Sequence, residues 1–143
     1  MTAAHVDTSP WPPHPGEVAA LLRAHPATPD LGALLKSTLG WMLPADVQIV
    51  LFWGADYVAY YNDTYAPTIG NKHPRALGRP AVESWTELWD DLEPLLAHVR
   101  TTGQTFSARD RPFRIERRGY LEDVYFDISY SAVRDDAEYE MSK

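Results

Sequence analysis

Residues 84–99 read SWTELWDDLEPLLAHV, and the spacing of their apolar side chains predicts one amphipathic helix. When successive residues turn by about 100°, these side chains fall within about a third of the helix circumference. They are Trp85, Leu88, Trp89, Leu92, Leu95, Leu96 and Val99. Ser84 and Glu87 have the spacing of a capping box, and Gly103 predicts the end of the helix. The helix therefore offers an aromatic and aliphatic face to a core.

A pair of strands is predicted on each side of this helix. Before it, the apolar run 47–53 and the stretch 57–61 flank a Gly-containing turn, which predicts a hairpin. After it, the stretch 105–116 is followed by strict apolar and polar alternation over 124–132. Pro112 in the first of these stretches indicates an edge strand or a bulge. Two hairpins and a long helix predict an α+β fold, with helices packed on one face of an antiparallel sheet.

The chain divides into four segments by composition and hydrophobic period. They are a flexible lead-in over 1–15, an amino-terminal helical extension over 16–44, the α+β domain over 45–136 and a tail over 137–143. Within the extension we expect a short helix over 17–24. A second helix is expected to begin with Thr28 as N-cap and Pro29 in its first turn, and to stop at Pro44.

Composition excludes several classes of function. The net charge of -7 over 143 residues disfavours binding to nucleic acid, and the five arginines between 109 and 118 fit the exposed edge and turn of a hairpin. The absence of cysteine excludes disulfides, zinc-thiolate sites and a cysteine-linked flavin. We expect a cytoplasmic protein without a membrane span, because the apolar runs are too short and the start lacks a secretory pattern.

Three stretches together resemble a PAS domain. They are YYNDTYAPTIG at 60–70, HPRALGRP at 73–80 leading into WTELWDD at 85–91, and YFDISYSAVRD at 125–135. The resemblance spans about 49–136, and is closest to the amino-terminal PAS domains of bacterial sensor histidine kinases and related signalling proteins. The helical extension before it is similar to the one that precedes those domains.

The resemblance implies a five-stranded antiparallel sheet and a sensory role that feeds a histidine kinase or another output domain. It implies binding of a ligand or partner rather than catalysis by this domain. The chain departs from the family pattern after residue 135, where a fifth strand normally follows. Residues 137–143 have no alternating apolar run. We therefore expect the place of the last strand to be open or filled by a strand of a partner.

The candidate site is an apolar pocket between the long helix and the sheet. Its predicted lining is Trp85, Trp89, Leu92, Leu96 and Phe126, although the same residues would also serve simply as core. Tyr125, Asp127 and Ser129 share the opposite face of the last strand, where they would orient a polar ligand group or face solvent.

The sequence disfavours haem and offers no metal site. His98 points about 120° away from the centre of the apolar stripe, whereas a haem ligand must face the pocket. His73 precedes a proline in a loop and is expected at the surface. The paired carboxylates Asp90–Asp91 and Asp135–Asp136 lack the spacing of a calcium loop. The identity of any cofactor stays open.

Three hypotheses of function follow. The first is a sensor module that forms a homodimer through the extension, with Leu31, Leu35, Leu39 and Met42 as the contact, and that binds a small ligand or partner. The second is a structural protein-interaction domain without a ligand. The third is a small α+β enzyme of the cone-like barrel type, which requires a buried acidic residue in the cavity; the apolar stripe supplies none.

Overall fold

The computed structural model describes residues 16–24, 32–134 and 141–142. The α-helices are α1 (Glu17–Ala24), α2 (Ala33–Met42), α3 (Ala81–Ser84) and α4 (Trp89–Thr102), with 3₁₀ helices at Ala66–Lys72 and Thr86–Leu88. The strands are β1 (Val50–Trp53), β2 (Val58–Tyr61), β3 (Phe106–Glu116), β4 (Leu121–Tyr130), β5 (Val133–Arg134) and β6 (Met141–Ser142). This arrangement confirms a mixed α+β fold. The tail prediction falls mainly on residues outside the described part.

The first hairpin forms where the sequence predicts it. β1 and β2 pair antiparallel from Val50↔Tyr61 to Trp53↔Val58. The turn between them uses positive φ at Gly54 (79°) and at Tyr57 (52°). Adjacent residues of a strand point to opposite faces, so the burial of both Leu51 and Phe52 means that β1 is covered on both sides.

The second hairpin joins β3 to β4. Its register shifts between Ala108 and Arg111, where Asp110 has a φ of 49° and donates its backbone N–H to Asp127 Oδ1 at 2.9 Å. The sequence prediction of an irregular or edge strand here is thus confirmed. The even-numbered residues of β4 face inward and the odd-numbered ones are exposed, so the predicted alternation also holds.

The strand pairs do not merge into one sheet. Among the described residues, β1–β2, β3–β4 and β5–β6 are three separate two-stranded ladders. Their association depends on side chains of one common core that reaches from α1 and α2 to α4 and both main hairpins. The residues described therefore do not form the continuous sheet that the sequence predicts.

The long helix begins later than the sequence predicts. Ser84 is the last residue of α3, a 3₁₀ turn follows, and α4 starts at Trp89, so the capping box does not form. Glu87 has other partners instead. Its carboxylate lies 2.9 Å from Lys72 Nζ and accepts the backbone N–H of Glu116 at 3.0 Å. These two contacts join the 3₁₀ turn to the first 3₁₀ helix and to the end of β3, where the helical path is interrupted.

The end of α4 and its exposed face agree with the sequence. Gly103 terminates the helix with a φ of 73° and donates its N–H to Val99 O at 2.8 Å. His98 is exposed on α4, away from the core.

Two predictions about the second helix of the extension need correction. α2 begins at Ala33, because Gly32 is extended (φ −70°, ψ 165°) and a helix cannot continue through it; Thr28 and Pro29 lie outside the described residues. Leu35, Leu39 and Met42 are at most 2% exposed within this one chain. Side chains that fill their own core are not free to form a dimer contact. Leu31 also lies outside the described part.

Asn62 connects three elements at the start of the domain. Its side chain is fully buried; Nδ2 donates to Val47 O at 2.8 Å and to Met42 O at 3.0 Å. Oδ1 accepts the N–H groups of Tyr65 at 3.0 Å and Ile49 at 3.3 Å. One amide thereby joins the end of α2, the approach to β1 and the first 3₁₀ helix.

Candidate functional site: an apolar cavity between the hairpins

A cavity of about 250 Å³ lies between β1, β4, the first 3₁₀ helix and the start of α4. Its wall is mostly aromatic and aliphatic. The residues that define it include Phe52, Ile69, Trp85, Leu92, Phe113 and Phe126. Polar groups share the accessible surface with these side chains, so the lining suits a small ligand with an apolar body and some polar groups.

The structure brings three of the five predicted pocket residues to this wall and places two elsewhere. Trp85, Leu92 and Phe126 line the cavity. Leu96 is buried deeper in the core, and Trp89 packs edge-on against Tyr57 with ring centroids 5.8 Å apart. Trp85 precedes the 3₁₀ turn and α4 starts only at Trp89, so the two tryptophans do not share one helical face. Binding by the lining residues stays a prediction.

Three hydroxyl-bearing residues on the wall were not singled out from the sequence. They are Tyr65, Thr68 and Tyr130. Burial raises the pKa of Tyr65, and the neighbouring Tyr130 and Tyr61 raise it further. Burial also raises the pKa of Tyr130 to about 12, against the opposing effect of Arg111. Both hydroxyls are therefore neutral donors at physiological pH.

The position of Tyr130 was open to prediction, whereas that of Tyr65 was not. Tyr130 is in phase with Phe126 and Ile128 on β4, so alternation alone places it on the inner face. Tyr65 follows the local turn in which its backbone N–H donates to Asn62 Oδ1. Its place on the cavity wall depends on how the first 3₁₀ helix packs against the hairpins, which the local pattern does not predict.

The mouth of the cavity runs along the edges of two strands. Five consecutive residues of β4, 126–130, line it, and so do the consecutive residues 48–50 at β1. Side chains on one face of a strand would contribute only alternate residues. Consecutive lining residues mean that the backbone edges themselves form the mouth. Asp127 and Ser129 lie at this rim, while Tyr125 is 64% exposed and points away from it.

An ion pair fixes α4 against β3 near the cavity. Arg111 donates to both carboxylate oxygens of Asp91, at 2.8 and 2.9 Å, and its guanidinium lies 4.6 Å from the centre of the Phe113 ring. The hydrogen bond from Arg111 holds the pKa of the Asp91 carboxyl below its ordinary value. Both partners keep contact with solvent, so the pair orients the helix more than it stabilises the fold.

A second polar chain connects α1 to the interior. The buried Tyr61 hydroxyl lies 2.6 Å from His73 Nδ1, and His73 Nε2 lies 2.9 Å from Glu17 Oε1. Asp63 Oδ1 accepts the backbone N–H of Val18 at 2.9 Å. Burial, and then the charge of Glu17, raise the pKa of Tyr61 above its ordinary value. His73, expected at the surface, is instead largely covered by these contacts.

Few ionisable side chains lie among the described residues of the cavity wall. Asp127 is the single carboxylate among the described lining residues; it is exposed and accepts the N–H of Asp110. No group of three or more His, Asp or Glu side chains in the described ranges is placed to hold a metal ion. Within those ranges, no helix has the length and apolar character needed to cross a membrane.

Comparison of the sequence with protein-family models and with curated proteins finds no match.

Proposed function

We propose that residues 45–136 form a PAS-type sensory module that binds a small, largely apolar ligand in the cavity. The module would relay occupancy to an output domain such as a histidine kinase. The observation that carries the proposal is an apolar cavity of about 250 Å³ with two neutral tyrosine hydroxyls on its wall. Ligand pockets usually enclose about 300–1,000 Å³, so this volume indicates a ligand smaller than most cofactors.

The relay rests on the elements that meet at the cavity. A ligand there contacts Trp85 and Leu92 on the helical side and Phe126 and Tyr130 on β4. A ligand shifts a conformational equilibrium only as far as it binds one state better than the other. Contacts with both the helices and the hairpin supply such a difference, because a movement of α4 relative to β4 changes them.

The two alternative functions, a structural interaction domain and an enzyme, require different structures at the cavity. A purely structural interaction domain needs a filled core, which the cavity argues against. A cone-barrel enzyme needs a buried acid in the cavity, whereas Asp127 is exposed at the rim. The sensor proposal is therefore the one that the geometry favours.

Native mass spectrometry and an absorption spectrum of freshly purified protein test the proposal, together with an NMR titration using indole as a defined apolar probe. We expect a retained ligand, or indole-dependent shifts confined to residues such as Leu92 and Phe126. Phe126→Trp should fill the cavity and abolish either signal. Tyr125→Trp is the matched control, since it adds the same bulk on the opposite face of β4.

Two results would overturn the proposal. One is wild-type protein that carries no ligand and shows no shift with indole, the outcome expected of a purely structural domain. The other is binding that persists unchanged in Phe126→Trp, which would place the ligand outside the cavity.

A further inference from the structure

The outer edge of β1 carries backbone groups that are directed into the mouth of the cavity. On β2, Ala59 uses its N–H and C=O on the far side, bonding Arg79 O at 3.0 Å and Gly78 N at 2.7 Å. In an antiparallel ladder, its pair partner Phe52 must then also direct both groups away from β2. Ile49 directs its N–H and C=O towards Asn62, on the side of β2. Because these groups alternate in direction along a strand, Val50 directs its own away from β2, as Phe52 does.

Among the residues that the structure describes, these edge groups have no backbone partner. Within the described part of the chain, Val50 and Phe52 make no backbone hydrogen bond on that side. Both residues line the cavity mouth, as does Gln48, the preceding residue in the same phase. On the other side of the mouth, β4 pairs with β3 alone among the described strands. Its second edge also faces the opening, since residues 126–130 line it in sequence.

The three exposed edges of the hairpins are built differently. The outer edge of β3 has the features that prevent strand addition: Pro112, a bulge at Asp110, and several arginines. The sequence of β1 is VLFW, and that of β4 contains no proline, lysine or arginine. The two edges that face each other across the cavity thus lack the proline and the basic residues of β3, and the charges on β4 are acidic.

We propose that the slot between β1 and β4 accepts one extended peptide segment of a partner protein as an added strand. The peptide would bond the free backbone groups of Val50 and Phe52 on one side and those of β4 on the other. Alternate side chains would enter the apolar cavity, so that these positions are aliphatic or aromatic. Asp127 is the one charged residue among those described at the rim, which favours a neutral or basic peptide over an acidic one.

This inference goes beyond small-molecule sensing, and its test has a different readout. The probe is an acetylated, amidated peptide of sequence Lys-Val-Thr-Val-Thr-Val-Lys, added to the full chain labelled with ¹⁵N. We expect saturable binding and slower amide hydrogen exchange at Val50 and Phe52. The Leu51 amide is the internal control, because it already faces β2 and should not change.

A second peptide with the same sequence and charge, N-methylated at alternate residues, separates strand pairing from apolar or ionic adhesion. The methylated peptide should bind at least tenfold more weakly than the unmodified one, because one of its edges has no N–H group to donate. Val50→Pro should weaken the unmodified peptide similarly, since it removes an outward N–H and leaves the bonds to β2 in place. If Val50→Pro folds poorly, the comparison of the two peptides with wild-type protein still tests the proposal.

Three outcomes would overturn the proposal. They are absence of binding, equal binding of both peptides, and protection that appears with protein concentration alone. The last would mean that a second copy of this chain fills the slot. Loss of peptide binding with retained indole binding would refute the added strand and leave the small-ligand proposal standing.

Discussion

Removal of the Asn62 side chain should cost more stability than any other polar truncation in the described core. In Asn62→Ala, two of the groups that the side chain binds keep another hydrogen bond. The Met42 carbonyl still accepts from Ala45 N, and the Tyr65 N–H still donates to the backbone carbonyl of residue 62. Two groups lose their polar partners, the Val47 carbonyl and the Ile49 N–H. An unsatisfied buried group costs about 1–3 kcal/mol, so we expect a loss of about 2–4 kcal/mol, allowing for water at the exposed Val47.

Asn62→Asp distinguishes hydrogen bonding from packing. The aspartate keeps an acceptor for Tyr65 and Ile49, but it turns an oxygen towards the carbonyls of Met42 and Val47. Its charged form is therefore disfavoured, which raises its pKa in the folded state above the ordinary value of about 3.9. The penalty is present in full above that folded pKa and shrinks as pH falls through it. The Asp variant should recover stability in acid relative to Asn62→Ala.

Urea unfolding followed by tryptophan fluorescence, at pH 7 and at pH 4.5, measures these free energies. Asn71→Ala is the matched control, because that side chain is exposed; we expect a change within about 0.5 kcal/mol. An Asn62→Ala loss no larger than the control would refute the account of Asn62 as the link between α2, β1 and the 3₁₀ helix. An Asn62→Asp penalty that does not vary with pH would refute the stated direction of its amide.

Three further expectations concern glycine positions, pH and the extension. Gly70→Ala should lower the free energy of unfolding by more than about 2 kcal/mol, because φ there is 56° and a backbone carbonyl occupies the place of the new Cβ. Gly40→Ala, in open space on α2, should raise the free energy of unfolding by about 0.5–1 kcal/mol. Thermal unfolding of the two variants and the wild type measures both changes. Arg111→Gln should return the lowered pKa of Asp91 towards its ordinary value. A carboxyl whose pKa is lowered by folding stabilises the protein at pH values above its ordinary pKa, and this contribution is lost as pH falls. The variant should therefore lose less stability than the wild type between pH 5 and pH 2. A carboxyl-carbon NMR titration of Asp91 in both proteins measures the change in pKa. Leu35→Asp should unfold the chain rather than merely weaken self-association, because the Leu35 side chain is 2% exposed and an aspartate there would be buried. Circular dichroism measures the folded content and sedimentation the oligomeric state. A folded monomer would contradict the prediction.

The local elements of the fold were accessible from the sequence. Alternation identified β4 and its inward residues, and the turn residues identified both hairpins, since these signals involve neighbours in the chain. The helical spacing of residues 85–99 predicts one continuous helix. Trp85 and Leu88 are buried as that pattern requires, but Trp85 follows the end of α3 and Leu88 lies in a 3₁₀ turn. Periodicity reports which side chains are buried and does not distinguish a continuous helix from a broken one.

The partners of each apolar face were not accessible. The spacing of Leu35, Leu39 and Met42 correctly indicates a buried stripe, yet it does not say that the same chain covers it. The cavity likewise depends on where β1 and β4 come to rest, which no local pattern encodes. Trp85, Leu92 and Phe126 reach it, while Trp89 lies outside it against Tyr57.

The connectivity of the strand pairs determines how fast the chain should fold. Both main hairpins join segments adjacent in sequence, through turns at 54–57 and 117–120, so their loop-closure cost is small. The docking of α1 is different, because the bond from Val18 to Asp63 spans 45 residues. The hairpins can thus form early in independent local steps. Docking of the second hairpin also closes a long loop, because the bond from Arg117 to Thr68 spans 49 residues. We expect these two closures to contribute most to the entropy of the folding barrier.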